Sequence, residues 1–292
     1  MKYRKEIDGL RALAVVPVIL FHAGFESFHG GFVGVDIFFV ISGYLITSII
    51  IDEKQRGLFS LLNFYERRAR RILPTLFFIL LICSLFAWLW LLPAEMKDFS
   101  QSLIAVSLFS SNILFSFTSN YFEIDTELKP LLHTWSLAVE EQYYVIFPLF
   151  IMSCWRFGKR WTVSILAIIT IISLLVAQWS SHTYPIYAFY LLPTRGWEIL
   201  VGAFIAFYFD HNKSTYTKTN QVNLIMQLMS IIGLSLIIYS IFTFDKNLPF
   251  PSIYTLIPTL GAALIILYAR EKTIVGKLLG NQFFVGIGLI SI

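Results

Sequence analysis

Ionisable side chains interrupt several long apolar stretches of this 292-residue chain. In a membrane segment an ionisable group is costly, and it is a functional hypothesis by default. Histidine, carboxylate and guanidinium groups together can move protons and stabilise negative charge, which suits a reaction site or a transport site. The members of this set are His22, Asp36, Glu140, Glu141, Arg195 and Glu198, with His133 just before its apolar stretch.

The same residues have a structural alternative, in which buried ion pairs such as Arg195 with Glu140 or with Asp36 hold helices together. Each helix would then bear the cost of burying its own charge, so a whole set kept only for packing is harder to explain. His133 and Glu140 could also ligate a metal, but no second ligand spacing accompanies them. A reaction or transport site without a metal is therefore preferred.

A second charged cluster opens a later apolar stretch, where four arginines, Arg67, Arg68, Arg70 and Arg71, fall within five positions. Arg67, Arg70 and Arg71 share one helical face by their i, i+3, i+4 spacing. Guanidinium groups bind phosphate oxygens bidentately, so the cluster predicts an anionic ligand on the cytoplasmic side. A topogenic role or a patch for anionic lipids is the alternative.

Arg11 and His22 bracket the first apolar stretch. They lie eleven residues apart, which is about 16 Å along a helix. One of them could touch a ligand on the inner face while the other reaches the outer half. The spacing hints at a reaction that connects the two faces of a membrane.

The elements that carry these residues are predicted to be membrane helices. Hydrophobic residues make up 57% of the chain and charged residues 14%, with a mean hydropathy of +0.72. Soluble domains have about 45–50% apolar and about 25% charged residues, so most soluble enzymes, disordered proteins and nucleic-acid-binding proteins are excluded as first hypotheses. The two cysteines lie in apolar stretches and predict no disulfide framework.

The predicted fold is all-α, a polytopic bundle of about nine to ten membrane segments, since one span needs about 20 mostly apolar residues. Residues 1–292 are expected to form one domain. The predicted spans are Leu10–Gly24, Phe32–Ile51, Ile72–Leu92, Leu137–Arg156, Thr162–Ser180, Ala188–Phe209, Leu224–Phe244, Ser252–Ala269 and a last one that starts near Leu278.

The lysines and arginines predict a cytoplasmic N-terminus, because basic loops stay on the cytoplasmic side. Lys213 and Lys218 fall in a predicted inner loop, and the acidic loop Thr118–Ser136 falls outside. The serine-rich segment Phe99–Phe117 would then begin and end on the outer side. It is predicted to be re-entrant or interfacial, since polar segments need protein or water around them.

Several motifs occur in a fixed order along the chain. They are Asp8-Gly9-Leu10-Arg11-Ala12, the Arg11 and His22 pair, Gly34-Val35-Asp36-Ile37-Phe38-Phe39-Val40-Ile41-Ser42-Gly43, the stretch from Arg67 to Pro74, the stretch from His133 to Tyr144, and the stretch from Pro193 to Gly202. Together they resemble the acyltransferase-3 family of bacterial membrane O-acyltransferases, of the lipopolysaccharide and peptidoglycan O-acetylase type. The resemblance covers the whole chain.

The resemblance implies transfer of an acyl group, usually acetyl, from cytoplasmic acyl-coenzyme A to a glycan hydroxyl outside a bacterial inner membrane. His22 would be a base or a transient acyl carrier, oriented by Asp36 or Glu141, with Arg195, Ser136 or backbone amides stabilising the oxyanion. The residues implied for coenzyme phosphates are Arg11, Arg67, Arg68, Arg70 and Arg71. Those implied for the glycan are His133, Trp135, Ser136, Glu140, Tyr143, Trp197 and Glu198.

The chain departs from the family pattern at its end, where it stops at Ile292 inside a predicted span and carries no SGNH hydrolase-like domain. A fragment is therefore expected. A transporter for a glycolipid or a small anion is the alternative function, although the sequence has neither repeated halves nor paired broken helices. A non-catalytic membrane scaffold is a third. The bilayer, acyl-coenzyme A and a glycan are the expected partners, without nucleic acid.

Overall fold

A computed structural model describes residues 3–118, 129–212 and 223–291. Over these ranges the chain forms helices joined by turns and short 3-10 segments, and the described residues contain no strand. The predicted all-α class is confirmed. Lys213, Lys218, Ile292 and most of the predicted loop Thr118–Ser136 lie outside the described residues.

The α-helices follow one another with short connections. They are α1 (Lys5–His22), α2 (Gly34–Gln55), α3 (Leu61–Trp90), α4 (Pro93–Ser107), α5 (Ser111–Thr118), α6 (Thr134–Trp155), α7 (Lys159–Thr183), α8 (Pro185–Tyr190), α9 (Leu192–His211), α10 (Leu224–Thr243), α11 (Leu256–Tyr268), α12 (Ile274–Leu279) and α13 (Gln282–Ile290). The predicted span Ala188–Phe209 is divided at Leu191, where α8 ends and α9 begins.

Four helical segments within the described ranges are long and apolar enough to cross a membrane, namely α2 with its preceding turn, α3, α7 and α10. Most of the apolar part of α2 is buried, whereas little of α3, α7 or α10 is. These three helices therefore present apolar surface to their surroundings, as lipid-facing helices do. The other predicted spans, and the total number of segments, stay predictions.

The central helix pair is α2 with α9, which make the most extensive contact in the bundle. Glycines allow this approach: a Cβ atom on Gly43 would overlap the carbonyl oxygen of Ile199, and one on Gly202 would overlap that of Val40. Close approach of backbones through small residues is typical of membrane helices. Since α2 also packs on α1 and α6, it forms the core around which the charged residues are placed.

The serine-rich segment Phe99–Phe117 is not one continuous helix. It is divided between α4 and α5, and Phe109 at the break has a φ of 51°, a left-handed conformation that is uncommon outside glycine. Gln142 of α6 fixes this break by donating to the carbonyl oxygen of Phe109 at 3.0 Å and to Oδ1 of Asn112 at 2.8 Å. Its re-entrant or interfacial placement stays a prediction.

Candidate active site

A cavity of about 420 Å³ lies between α2, α3 and α6, and Arg11 of α1 also lines it. Its walls are mainly aliphatic. The charged and polar residues along it are Arg11, Ser42, Arg68, Arg71, Thr75, His133, Thr134, Glu140, Tyr144 and Ser291. A mostly apolar space with a few placed polar groups is the usual form of a small-molecule site.

Three arginines gather at one end of this cavity. The guanidinium of Arg68 lies 4.1 Å from the ring centroid of Tyr144, and Arg71 follows one helical turn later on α3. Arg11 and Arg68 are both close enough to Arg71 to repel its charge. Arg11 is also paired with Asp8, at 3.1 Å. So much positive charge facing a cavity suits an anionic ligand such as a phosphate.

One histidine lines the cavity toward the other end, His133, from the turn that precedes α6. His22, the last residue of α1, is exposed and is not among the residues that line the cavity, but it lies close enough to His133 for their charges to interact. Burial lowers the pKa of His133 below its ordinary value, and the nearby charge of His22 lowers it further. A lowered pKa keeps an imidazole neutral at pH 7, so that it can accept a proton.

The residue spacing along two helices, α6 and α1, gives the distance between the arginines and the histidines. On α6, Tyr144, whose ring packs on Arg68, lies eleven residues after His133, which corresponds to about 16 Å. On α1, Arg11 and His22 have the same spacing. Arginine and histidine ends are thus separated by a similar length on both sides of the site.

Glu140 occupies the middle of the cavity. Ser42 Oγ donates to its Oε1 at 2.9 Å, and Tyr144 Oη donates to its Oε2 at 3.1 Å. Sequence reasoning missed Ser42 and Tyr144. Tyr144 follows Glu140 by four residues and so shares its helical face, a signal that was available. The proximity of Ser42 depends on helix packing.

Arg67 and Arg70 point away from the cavity. Arg67 pairs with Glu53 at 2.7 Å and Arg70 with Glu66 at 2.8 Å, and their side chains are 52% and 79% exposed. The predicted face of Arg67, Arg70 and Arg71 is therefore not the face that lines the cavity. Arg68 and Arg71 line it instead, because the contact of Arg68 with Tyr144 orients α3 against α6.

A second buried charged group surrounds Arg195. Its Nη1 donates to Asp36 at 2.9 Å and to Glu198 at 3.1 Å, and its Nε donates to the carbonyl oxygen of Phe189 at 3.0 Å. The two ion pairs are at most 1% exposed. The predicted pairing of Arg195 with Asp36 is confirmed. Three aromatic rings enclose the guanidinium, those of Trp135, Phe189 and Phe250.

The four residues predicted as catalytic therefore do not form one constellation. Asp36 and Arg195 meet in the buried ion pairs. Glu141 instead lines a second cavity of about 470 Å³, which it shares with Arg68 and Gln142.

The aromatic residues predicted to stack on sugar are in the core, which corrects that expectation. Trp135 and Trp197 are each 1% exposed and Tyr143 is 6% exposed, so no ring face is open to a glycan. They are buried because their helices lie inside the bundle, where large rings fill the space between α2, α6 and α9. Ser136 donates to the carbonyl oxygen of His133 at 3.2 Å.

The donor set of the first cavity fits a phosphate-bearing organic anion. Guanidinium groups, hydroxyls and an imidazole are phosphate and amide partners, and a single carboxylate is too few for a metal. In the part of the chain that the structure describes, no group of three or more His, Cys, Asp or Glu residues could hold a metal ion.

Comparison with known proteins agrees with the motifs. A family model described as an acyltransferase domain, acyltransferase-3, matches residues 4–288. Peptidoglycan O-acetyltransferase OatA of Listeria monocytogenes is 34% identical over 83% of this chain and 39% of its own length. An uncharacterized protein of Haemophilus influenzae is 36% identical over 82% of this chain and 99% of its own. SAS0844 of Staphylococcus aureus, named as a proposed O-acetyltransferase, is 31% identical over 99% of this chain and 49% of its own.

The chain thus spans less than half the length of the two relatives that are named as O-acetyltransferases. No solved structure matches it. The family model nevertheless covers nearly every residue, including the arginines and His133 of the cavity. The chain belongs to the acyltransferase-3 family.

Proposed function

We propose that this chain transfers an acyl group, most simply acetyl, from cytoplasmic acyl-coenzyme A to a hydroxyl of a cell-surface glycan. The observation that carries the proposal is the cavity with arginines at one end and His133 about 16 Å away. The arm of coenzyme A between phosphate and sulfur is a chain of about 13 atoms. By analogy with an extended polypeptide it reaches about 14 Å, so phosphates on the arginines would bring the thioester to His133 and the neighbouring His22.

The arginine end is proposed to hold the coenzyme phosphates. Arg11, Arg68 and Arg71 converge there, and guanidinium groups bind phosphate oxygens through paired, charge-assisted hydrogen bonds. The aliphatic side chains of Leu76, Ile79 and Leu80 would exclude water from the arm. Arg67 and Arg70 are instead assigned to the membrane surface, where exposed arginines attract anionic lipid headgroups.

The histidine end is proposed to carry out the transfer. His22 takes the proton of the glycan hydroxyl while the hydroxyl oxygen attacks the thioester carbonyl carbon. The tetrahedral intermediate collapses with cleavage of the carbon–sulfur bond. The leaving thiolate recovers the proton from His22, and the acyl group remains on the glycan oxygen. His133, kept neutral, orients the incoming hydroxyl.

Arg195 is proposed to be a positioning residue: it holds a helix that lines the cavity in place and does not contact the oxyanion. Its ion pair with Asp36 joins α9 to α2, the helix that supplies one wall of the cavity. Its pair with Glu198 stays within α9. Breaking such a group would shift the wall and expose an uncompensated buried charge.

The test is acyl transfer by the protein in lipid nanodiscs, supplied with acetyl-coenzyme A and glycan oligosaccharides of the cell envelope. Free thiol release and the mass of the glycan are measured together. His22→Ala should reduce both to background while coenzyme A affinity changes less than about threefold. His29→Ala is the matched control, because His29 lies in an exposed turn nearby.

Transfer by His22→Ala at the rate of the unmodified protein would contradict the role of His22. Movement of a glycolipid across the bilayer without loss of thioester would support the transporter alternative instead.

A further inference from the structure

The carboxylate of Glu140 is held from two sides and still has acceptor sites left. Ser42 and Tyr144 each donate one hydrogen bond, one to each carboxylate oxygen. An ionised carboxylate has about four acceptor sites, so about two remain. Because Glu140 lines the cavity, these sites are available to a molecule inside it.

The surroundings of Glu140 favour a donor on that molecule. It is the only carboxylate among the described residues that line this cavity. Burial opposes a negative charge on Glu140, and the hydrogen bonds of Ser42 and Tyr144 together with the charges of Arg68 and Arg11 offset only part of that cost. A carboxylate kept in an apolar channel is costly unless it receives hydrogen bonds, and a ligand N–H group supplies one.

The position of Glu140 along the channel identifies which donor it would meet. It lies four residues before Tyr144, or about 6 Å outward from the arginine end. It lies seven residues after His133, or about 10 Å from the histidine end. In the arm of coenzyme A, the amide nitrogen nearer the phosphate is about five bonds, or roughly 6 Å, from the phosphate-bearing oxygen.

We propose that Glu140 accepts a hydrogen bond from this inner amide N–H of the acyl-coenzyme A arm. Ser42 and Tyr144 are the residues that position the carboxylate. This inference rests on the proposed function and adds to it a subsite for the arm, which fixes the depth at which the thioester stops. Glu140 then contacts the acyl donor, in place of the predicted role in glycan binding.

The experiment uses non-reactive acetyl-coenzyme A analogues in which a methylene group replaces the sulfur. Two further analogues replace one amide N–H each, inner or outer, by an ester oxygen. Their dissociation constants are measured on the whole chain in nanodiscs. The inner ester should bind about tenfold to hundredfold more weakly than the parent analogue, as expected on losing a hydrogen bond to a charged group. The outer ester should bind within about threefold of the parent.

Glu140→Gln tests the partner directly. The parent analogue should bind this variant more weakly than it binds the unmodified protein. The inner ester should then bind the variant no more than about threefold more weakly than the parent analogue does. Glu66→Gln, at an exposed carboxylate on α3 paired with Arg70, is the matched control and should keep the full discrimination. The thermal midpoint of each variant shows that it is folded.

Equal binding of the inner and outer esters by the unmodified protein would overturn the subsite, and that result needs no variant. An inner-ester penalty that persists undiminished in Glu140→Gln would overturn it as well. In both cases the parent analogue still binds, so the proposed function stands. Failure of the parent analogue to bind would overturn the proposed function and the subsite together.

Discussion

Two charged groups lie inside the same helical bundle and differ in what surrounds them. Arg195 has carboxylates at 2.9 and 3.1 Å and three aromatic rings around it, so its hydrogen bonds are made within the protein. Arg68 and Arg71 face a cavity of about 420 Å³. Arginine supplies the positive charge in both groups. Empty space beside the charge is what distinguishes a binding site from a structural ion pair.

The difference also predicts where each group acts. A closed ion-pair group contributes to folding, since removing one partner leaves a buried charge uncompensated. An open group contributes little until a ligand arrives, because the ligand supplies the missing partner. Stability measurements and ligand affinities should therefore separate the two.

The largest effect is expected on breaking the closed group. Arg195→Met leaves Asp36 and Glu198 buried without their cation and should destabilise the fold by about 3–5 kcal/mol. In a thermal unfolding assay in detergent, the midpoint should fall by roughly 10 °C. Arg67→Met is the control, at an exposed arginine, and should keep the midpoint. An unchanged thermal midpoint together with lost acyl transfer would mean that Arg195 takes part directly in the reaction.

Next in size is the loss of ligand affinity in the open group. Arg68→Ala and Arg71→Ala should each weaken coenzyme A binding by about tenfold or more, because each removes a charge-assisted hydrogen bond. Isothermal titration in nanodiscs measures the affinity, and the thermal midpoint should stay close to that of the unmodified protein. Unchanged coenzyme A affinity in both variants would mean that these arginines determine membrane topology or bind anionic lipids.

A smaller effect concerns the two histidines. The pKa of His133 is lowered, first by burial and then by His22, so its titration midpoint should lie below about 6.5. His22→Asn removes the charge interaction with His22 that lowers the pKa of His133, so this pKa should rise. Deuterium exchange at the imidazole carbon, read by mass spectrometry across pH, measures it. No change would mean that the two rings do not interact.

The smallest effect is expected at the outward-facing arginines. Arg67→Ala and Arg70→Ala remove exposed ion pairs, which contribute little to binding or stability. Coenzyme A affinity should change by less than about threefold, measured beside Arg68→Ala. A tenfold loss in either variant would contradict the division of the four arginines into two faces.

The bundle and its charged residues could be predicted from the sequence because both depend on local signals. Long apolar stretches predict the helices, and the rare ionisable residues within them predict which positions are charged inside the bundle. Arg195 with Asp36 was also among the pairs considered. The rotation of α3 was not predictable, because helical spacing alone groups Arg67 with Arg71 equally well as Arg68 with Arg71. The contact of Arg68 with Tyr144, 76 residues away in the chain, decides it.

Trp135, Tyr143 and Trp197 show the same limit. An aromatic ring near the end of a predicted span is typical of a membrane interface and also of a packed core. Only the arrangement of α2, α6 and α9 puts these rings inside. Ser42 is a further case, since a serine in an apolar helix has no sequence feature that reveals a carboxylate on another helix.

The unequal burial of α2 and α3 has a consequence for how a ligand enters. Gly43 and Gly202 lock α2 to α9 backbone against backbone, so that wall of the cavity is rigid. Another wall, α3, buries few of its apolar residues within the bundle. We therefore expect a ligand to reach the cavity beside α3, because moving α3 breaks fewer contacts within the protein than moving α2 does.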